Sequence, residues 1–126
     1  MKLQLSILEN RFTVHRFPPD HEIPNHVYGS KFYSISRTED ELSVVCDSST
    51  QMNSEKSEPG WSCIKIAGVL DFSLTGVLAD ISSVLAKAEV SIFAISTYDT
   101  DYILVKSEKL QPAQKALLDS GYTFNN

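Results

Sequence analysis

The sequence predicts an α+β fold with an antiparallel sheet and helices on one face. Three observations carry that prediction. Short segments along the whole chain alternate apolar and polar residues, the period-two signature of half-buried strands. Two stretches in the second half switch to the helical period of 3.6 and fall between strands. A strand–turn–strand segment at 34–45 recurs at 94–105, Ser34-Ile35-Ser36 through Val44-Val45 answering Ala94-Ile95-Ser96 through Leu104-Val105.

The first half reads as strands and loops. Leu3, Leu5 and Ile7 alternate with polar residues, and 11–17 alternates again around Phe12, Val14 and Phe17. Pro18-Pro19 stops any ladder, because proline has no amide to donate. Residues 20–30 are polar, with Pro24 and Gly29, and read as a loop holding at most one helical turn. Strands are expected at 32–36 and 42–46, joined by Arg37-Thr38-Glu39-Asp40. Residues 48–60 are almost wholly polar, Met52 being their one large apolar side chain, and read as a linker or an exposed helix.

The second half is more regular. Ile64, Ile66, Val69 and Leu70 mark a strand. After Gly76, the residues Val77, Leu78, Ile81, Val84, Leu85 and Ala88 fall on one helical face, and Ser73 or Thr75 offers an N-cap. Strands follow at 90–96 and 102–106. Pro112 suits the first turn of a second helix, Ala113, Ala116 and Leu117 give its buried face, and Gly121 suits a left-handed cap. Residues 122–124 make a last short strand. The order is βαββαβ, the ferredoxin-like motif.

The repeat acquires meaning from that order. At an offset of 60 residues, Glu39 answers Asp99 and Glu41 answers Asp101. Two related halves are expected, 1–60 degenerate and 61–126 complete, neither large enough to bury much core alone.

Composition narrows the function classes. The 126 residues are 42% hydrophobic and 21% charged, which excludes a disordered tail and a coiled coil. The formal net charge of −5 argues against nucleic-acid binding, which needs a basic face. No apolar run approaches the roughly 20 residues of a membrane helix, and the first residues alternate, so a cytoplasmic protein without membrane association is expected. Two cysteines in separate segments give neither a metal spacing nor a disulfide framework. His15, His21 and His26 lack the helical carboxylate–histidine spacing of a metal site and read as solvated loop residues. No cofactor is called for.

Two segments can carry chemistry. Asp71-Phe72-Ser73-Leu74-Thr75-Gly76-Val77 joins a strand to a helix N-terminus, where free amides and the helix dipole favour an anion such as a small carboxylate. It has no phosphate-cradling glycine pattern and no adjacent Lys or Arg. Ser96-Thr97-Tyr98-Asp99-Thr100-Asp101 forms a turn in which Asp101 could accept from an ammonium or guanidinium group, although Asp is also favoured in turns for local bonding.

These same residues carry a family resemblance. The strand before 71, then Gly76-Val77-Leu78-Ala79-Asp80-Ile81 and Leu85-Ala86-Lys87-Ala88-Glu89-Val90-Ser91-Ile92, resemble the ACT domain, a βαββαβ regulatory module that binds amino acids. With Gly60-Trp61, Phe32-Tyr33-Ser34-Ile35-Ser36-Arg37-Thr38, Glu41-Leu42-Ser43-Val44-Val45-Cys46 and 95–105, nearly the whole chain is similar to stand-alone tandem-ACT proteins. These are relatives of the aspartokinase regulatory region and of the eukaryotic arginine sensor CASTOR. The resemblance implies a ligand held by Asp71, Ser73, Leu74, Thr75, Gly76 and Val77 on one side and Ser96, Thr97, Tyr98 and Asp101 on the other. Thr100 stands where the arginine sensor has an aromatic residue, so arginine specificity does not transfer.

The expectation is a non-catalytic module that binds an amino acid, forms a homodimer or another homo-oligomer, and acts on an unidentified regulated protein. The alternative is a structural oligomerisation or interaction module with an unused pocket. Small hydrolases such as acylphosphatase use this fold with a phosphate-cradling loop and a placed arginine, a pattern the sequence lacks, so an enzyme is not expected.

Overall fold

The computed structural model describes residues 3–66 and 76–126. They form two compact units. One holds residues 10–61; the other gathers the residues before Asn10 and those from Ser62 onward.

The second unit follows the βαββαβ order. Its strands are β5 (Lys56–Ile66, of which Ser62 onward lies here), β6 (Ile92–Ser96), β7 (Asp101–Lys106) and β8 (Thr123–Phe124). Its helices are α1 (Val77–Lys87) and α2 (Leu110–Asp119). The chain's first strand, β1 (Gln4–Ile7), is inserted between β5 and β8, so the strand order is β8-β1-β5-β7-β6. β1 is antiparallel to β5, with Leu5 opposite Ile66, and parallel to β8. The expected strand residues Val69 and Leu70 lie outside the described residues.

Burial explains the two helices. Ile81 and Leu85 of α1 and Ala113 and Leu117 of α2 are fully buried against Leu5, Ile64, Ile66, Ile103 and Val105 of the sheet. Each pair is spaced i, i+4, which puts both residues on one face. Each fully buried Leu or Ile contributes about 1.5–3 kcal/mol through the area it removes from water. Val77, Leu78, Val84 and Ala88 flank this stripe, as their spacing predicts.

Both helices end in the same way. After α2 the Tyr122 amide donates to the Leu117 carbonyl and the Gly121 amide to the Leu118 carbonyl, with Gly121 at φ 100°. After α1 the Val90 amide donates to Leu85 and the Glu89 amide to Ala86. The left-handed position there is filled by Glu89 at φ 61°, a residue with a Cβ where glycine is preferred. Tyr122 also donates its hydroxyl to Asp80 in the first turn of α1.

The first unit is built on β2 (Phe12–Phe17), β3 (Ser34–Arg37), β4 (Leu42–Asp47) and the first part of β5. Its strand order is β3-β4-β2-β5. A 3-10 turn, Asn25–Gly29, takes the place a crossover helix would hold. Its core is Phe17, Val27, Leu42, Val44 and Cys46, with Ile23, Ile35 and Met52 packed on it.

The linker reading of 48–60 fails from Lys56 onward. Lys56–Ile66 is one strand, and Lys56, Ser57 and Glu58 pair with Arg16, His15 and Val14. Backbone amides make that ladder whatever the side chains, so polar, exposed residues can occupy it. Between Phe12 and Val14 the register shifts, and Pro59 and Gly60 fall at the irregularity. Gly60 has φ 82°, and a bulge is where a strand accepts proline.

The two predicted hairpins are present, but their turns match one residue short of the expected offset. Arg37 pairs with Leu42 and Ser96 with Asp101, each enclosing four residues. Thr97 therefore answers Thr38, and Asp99 answers Asp40. In both turns the threonine amide donates across to the fourth residue's carbonyl, Thr38 to Glu41 and Thr97 to Thr100. Both threonine hydroxyls bond the same carbonyls.

Candidate functional site

Of the residues expected to hold a ligand, Asp71, Ser73, Leu74 and Thr75 lie outside the described residues. Gly76 and Val77 open α1. Gly76 occupies the N-cap position at φ 83° with no side-chain cap of its own; the expected capping residues, Ser73 and Thr75, lie outside the described residues. Among the described residues a Cβ built on Gly76 meets nothing within 4 Å, and the left-handed backbone there is one that favours glycine. The Asp80 amide donates to the Gly76 carbonyl at 2.8 Å, closing the first helical turn.

The β6–β7 turn gathers the other candidates. Ser96 and Asp101 face each other across the ladder, and the Ser96 hydroxyl donates to Asp101 Oδ1. Thr97 and Thr100 close the turn: the Thr97 amide and hydroxyl both donate to the Thr100 carbonyl, at 2.8 and 3.0 Å. Tyr98 stands at the tip, 81% exposed. A carboxylate has about four acceptor positions. The serine bond to Asp101 leaves several of them for another donor.

Thr100 was not among the expected site residues. It is buried, and its hydroxyl donates to the Ile66 carbonyl at 2.8 Å. Ile66 ends β5, so this bond fixes the turn to the strand end from which the chain leaves toward α1. The structure thus brings Ser96, Thr97, Tyr98 and Asp101 together in one turn, and ties that turn to β5. A threonine in a polar turn carries no sequence signal of burial, and the packing on Ile66 is visible only in the fold.

The titratable residues elsewhere are held for packing. Cys46 and Cys63 are both free and fully buried. Burial pushes the Cys63 thiol up to about 12. It raises Cys46 as well, with Asp47's negative charge adding to it. A raised thiol holds little nucleophilic thiolate. His15 corrects the reading of three solvated loop histidines. It lies within β2, only 6% exposed, with Nδ1 2.9 Å from Ser54 Oγ and Nε2 without a hydrogen-bond partner. Burial lowers its pKa by disfavouring the charged ring. His21 and His26 are exposed, as expected. Among the described residues no cluster of three or more His, Cys, Asp or Glu is placed to hold a metal ion, and no helix is long and apolar enough to cross a membrane.

Comparison with known proteins gives this geometry a family. The model of the ACT domain matches residues 56–119, and a second model, of an N-terminal domain, matches 10–54. The human protein named cytosolic arginine sensor for mTORC1 subunit 1 is 32% identical over 85 residues, an alignment covering 61% of this chain. That alignment takes in 26% of the sensor, so the chain spans about a quarter of the length of the curated relatives it matches. A crystal structure of an Agobacterium tumefaciens protein superposes with a TM-score of 0.91 at 34% identity, covering 98% of this chain and 92% of that one. The ligand-free regulatory subunit of aspartate kinase from Thermus thermophilus superposes at 0.68 with 11% identity, covering 96% and 99%. At that identity the likeness is one of fold. With its βαββαβ unit and a family match over just over half its length, this chain belongs to the ACT domain family.

Proposed function

We propose that this chain is a non-catalytic regulatory module that binds a free amino acid between the 71–77 connection and the 96–101 turn. The observation that carries the reading is the Thr100 hydroxyl bonded to the Ile66 carbonyl at 2.8 Å. It sets the turn bearing Asp101 beside the strand end that feeds the helix N-terminus. A zwitterion needs both an anion site and a cation site. Backbone amides from Ser73 to Val77 would receive the α-carboxylate, favoured by the helix dipole. Asp71 or Asp101 would receive the α-ammonium or a basic side chain. The human relative's name, an arginine sensor, supports the amino-acid class. It makes arginine one probe among twenty.

Binding would shift an equilibrium between copies of this chain or with a regulated protein, by no more than the ligand's differential affinity for the two states. The test is a thermal-shift screen of the whole chain against the twenty amino acids, followed by titration of each hit. A ligand confined to the native state stabilises by about 2.7 kcal/mol at a hundred times its dissociation constant. A saturable rise from one or two amino acids is expected, and Asp101→Ala should weaken it while the unliganded protein stays folded. No rise at millimolar concentrations, from protein that melts cooperatively, would sink the reading and leave an interaction module in its place.

A further inference from the structure

The first unit contains a cavity of about 500 Å³. Phe17 of the unit's core lines it, along with His21, Pro24 and His26 from the segment after β2. Gln51, Met52 and Asn53, just before β5, line the rest.

Both lining segments are held in place. The Arg37 guanidinium donates to the backbone carbonyls of Pro19 and His21, which fixes the loop that carries His21. On the other segment, Thr50 and Ser54 flank the lining residues. Thr50 Oγ1 meets Ser30 Oγ at 3.2 Å, Ser54 Oγ meets His15 Nδ1 at 2.9 Å, and the Glu55 amide donates to the Arg16 carbonyl. A cavity whose walls are already tied down loses little entropy on binding. Its volume lies within the range of small-molecule sites.

The lining specifies a chemistry. The His21 ring stacks on Phe17, centroids 4.7 Å apart and planes within 21°, and both rings line the cavity, which gives it an aromatic wall. Met52 adds a polarizable thioether, which packs well against aromatic edges. Gln51 and Asn53 each offer a carboxamide, with donor and acceptor side by side. Among the described residues no Lys, Arg, Asp or Glu lines the cavity, which favours a neutral ligand over a permanent ion. A flat ring to stack and an uncharged edge to hydrogen-bond describe a nitrogen heterocycle.

We propose that this cavity is a second ligand site, taking a neutral planar nitrogen heterocycle of the nucleobase class, stacked on His21 and read at its edge by Asn53 and Gln51. The proposal is independent of the amino-acid reading, because every residue it uses lies in the first unit. The test is isothermal titration of the whole chain with adenine, cytosine and adenosine, with AMP and benzoate as charged comparisons. Saturable binding of at least one neutral heterocycle is expected, with AMP no tighter than adenosine and benzoate not binding. His21→Ala and Asn53→Ala, both at exposed positions, should each weaken binding at least tenfold with the melting temperature nearly unchanged. Asp101→Ala should leave it intact. The proposal is overturned by no saturable heat up to the solubility of the neutral probes, by tighter binding of AMP or benzoate, or by affinities that neither His21→Ala nor Asn53→Ala changes.

Discussion

Thr100 and His15 show how much one buried polar group can decide. Thr100→Val keeps the branched shape but removes the donor to the Ile66 carbonyl. Leaving a buried acceptor unpaired costs roughly 1–3 kcal/mol, so the melting temperature should fall and amino-acid binding should weaken with it. Calorimetry and titration of the one variant check both. For His15 the sign follows from linkage. Its folded pKa lies below the ordinary value of 6.5, so the unfolded chain binds the proton more readily. Its contribution to stability is therefore complete above about pH 6.5 and is lost as the pH falls through the lowered folded value. Denaturant melts between pH 7.5 and 5 should show wild type losing more stability than His15→Leu; parallel profiles would contradict this. The same two residues mark what the sequence withheld. The alternation at 11–17 was legible as a strand, yet His15 within it reads as a solvated loop histidine, because nothing in the local pattern marks its burial. Thr100 was visible only as a turn residue near Asp101, because its partner, Ile66, lies 34 positions away.

At the scale of elements, sequence legibility followed side-chain periodicity. The α1 stripe, the two hairpins and the glycine cap at Gly121 came from patterns that packing requires, and they were readable. The start of β5 was not, since Lys56, Ser57 and Glu58 are exposed and are held by backbone pairing to β2. The turn equivalence was misplaced by one residue because shared strand residues align at either offset, whereas the threonine bonding pattern fixes the match. The α1 terminus also offers a stability test. Glu89 holds a left-handed conformation at φ 61° that costs a non-glycine residue about 1–2 kcal/mol. Glu89→Gly should therefore raise stability by roughly 1 kcal/mol, the relief of strain being partly offset by glycine's greater freedom in the unfolded chain. The measurement is the midpoint of urea unfolding, expected to rise with an unchanged slope.

For the whole molecule, the sequence supplied the family and the βαββαβ order, but not the way the two units divide the chain. Strand β1 pairs with Ile64–Ile66 and with Thr123 and Phe124, at the opposite end of the sequence. Such long-range pairing leaves no periodic signature in a local window, because what defines it is the register with distant strands. Leu5 is nonetheless fully buried in the second unit's core. Leu5→Ala should cost about 2–5 kcal/mol, as cavity-forming substitutions do. The expected result is a lowered midpoint in thermal melts, reported by Tyr122 in the same core.

The cysteines extend this division into the time domain. Cys46 belongs to the core of the first unit, and Cys63 lies among the second unit's residues on β5. Each unit therefore carries one sealed thiol, and a thiol-specific dye can reach either only when its surroundings open. Pulse labelling read by peptide mass spectrometry would follow the two openings separately, without any substitution in the chain. Equal labelling rates in mild denaturant would indicate one cooperative event, and unequal rates would identify the half that opens first. The chain comes with its own pair of clocks.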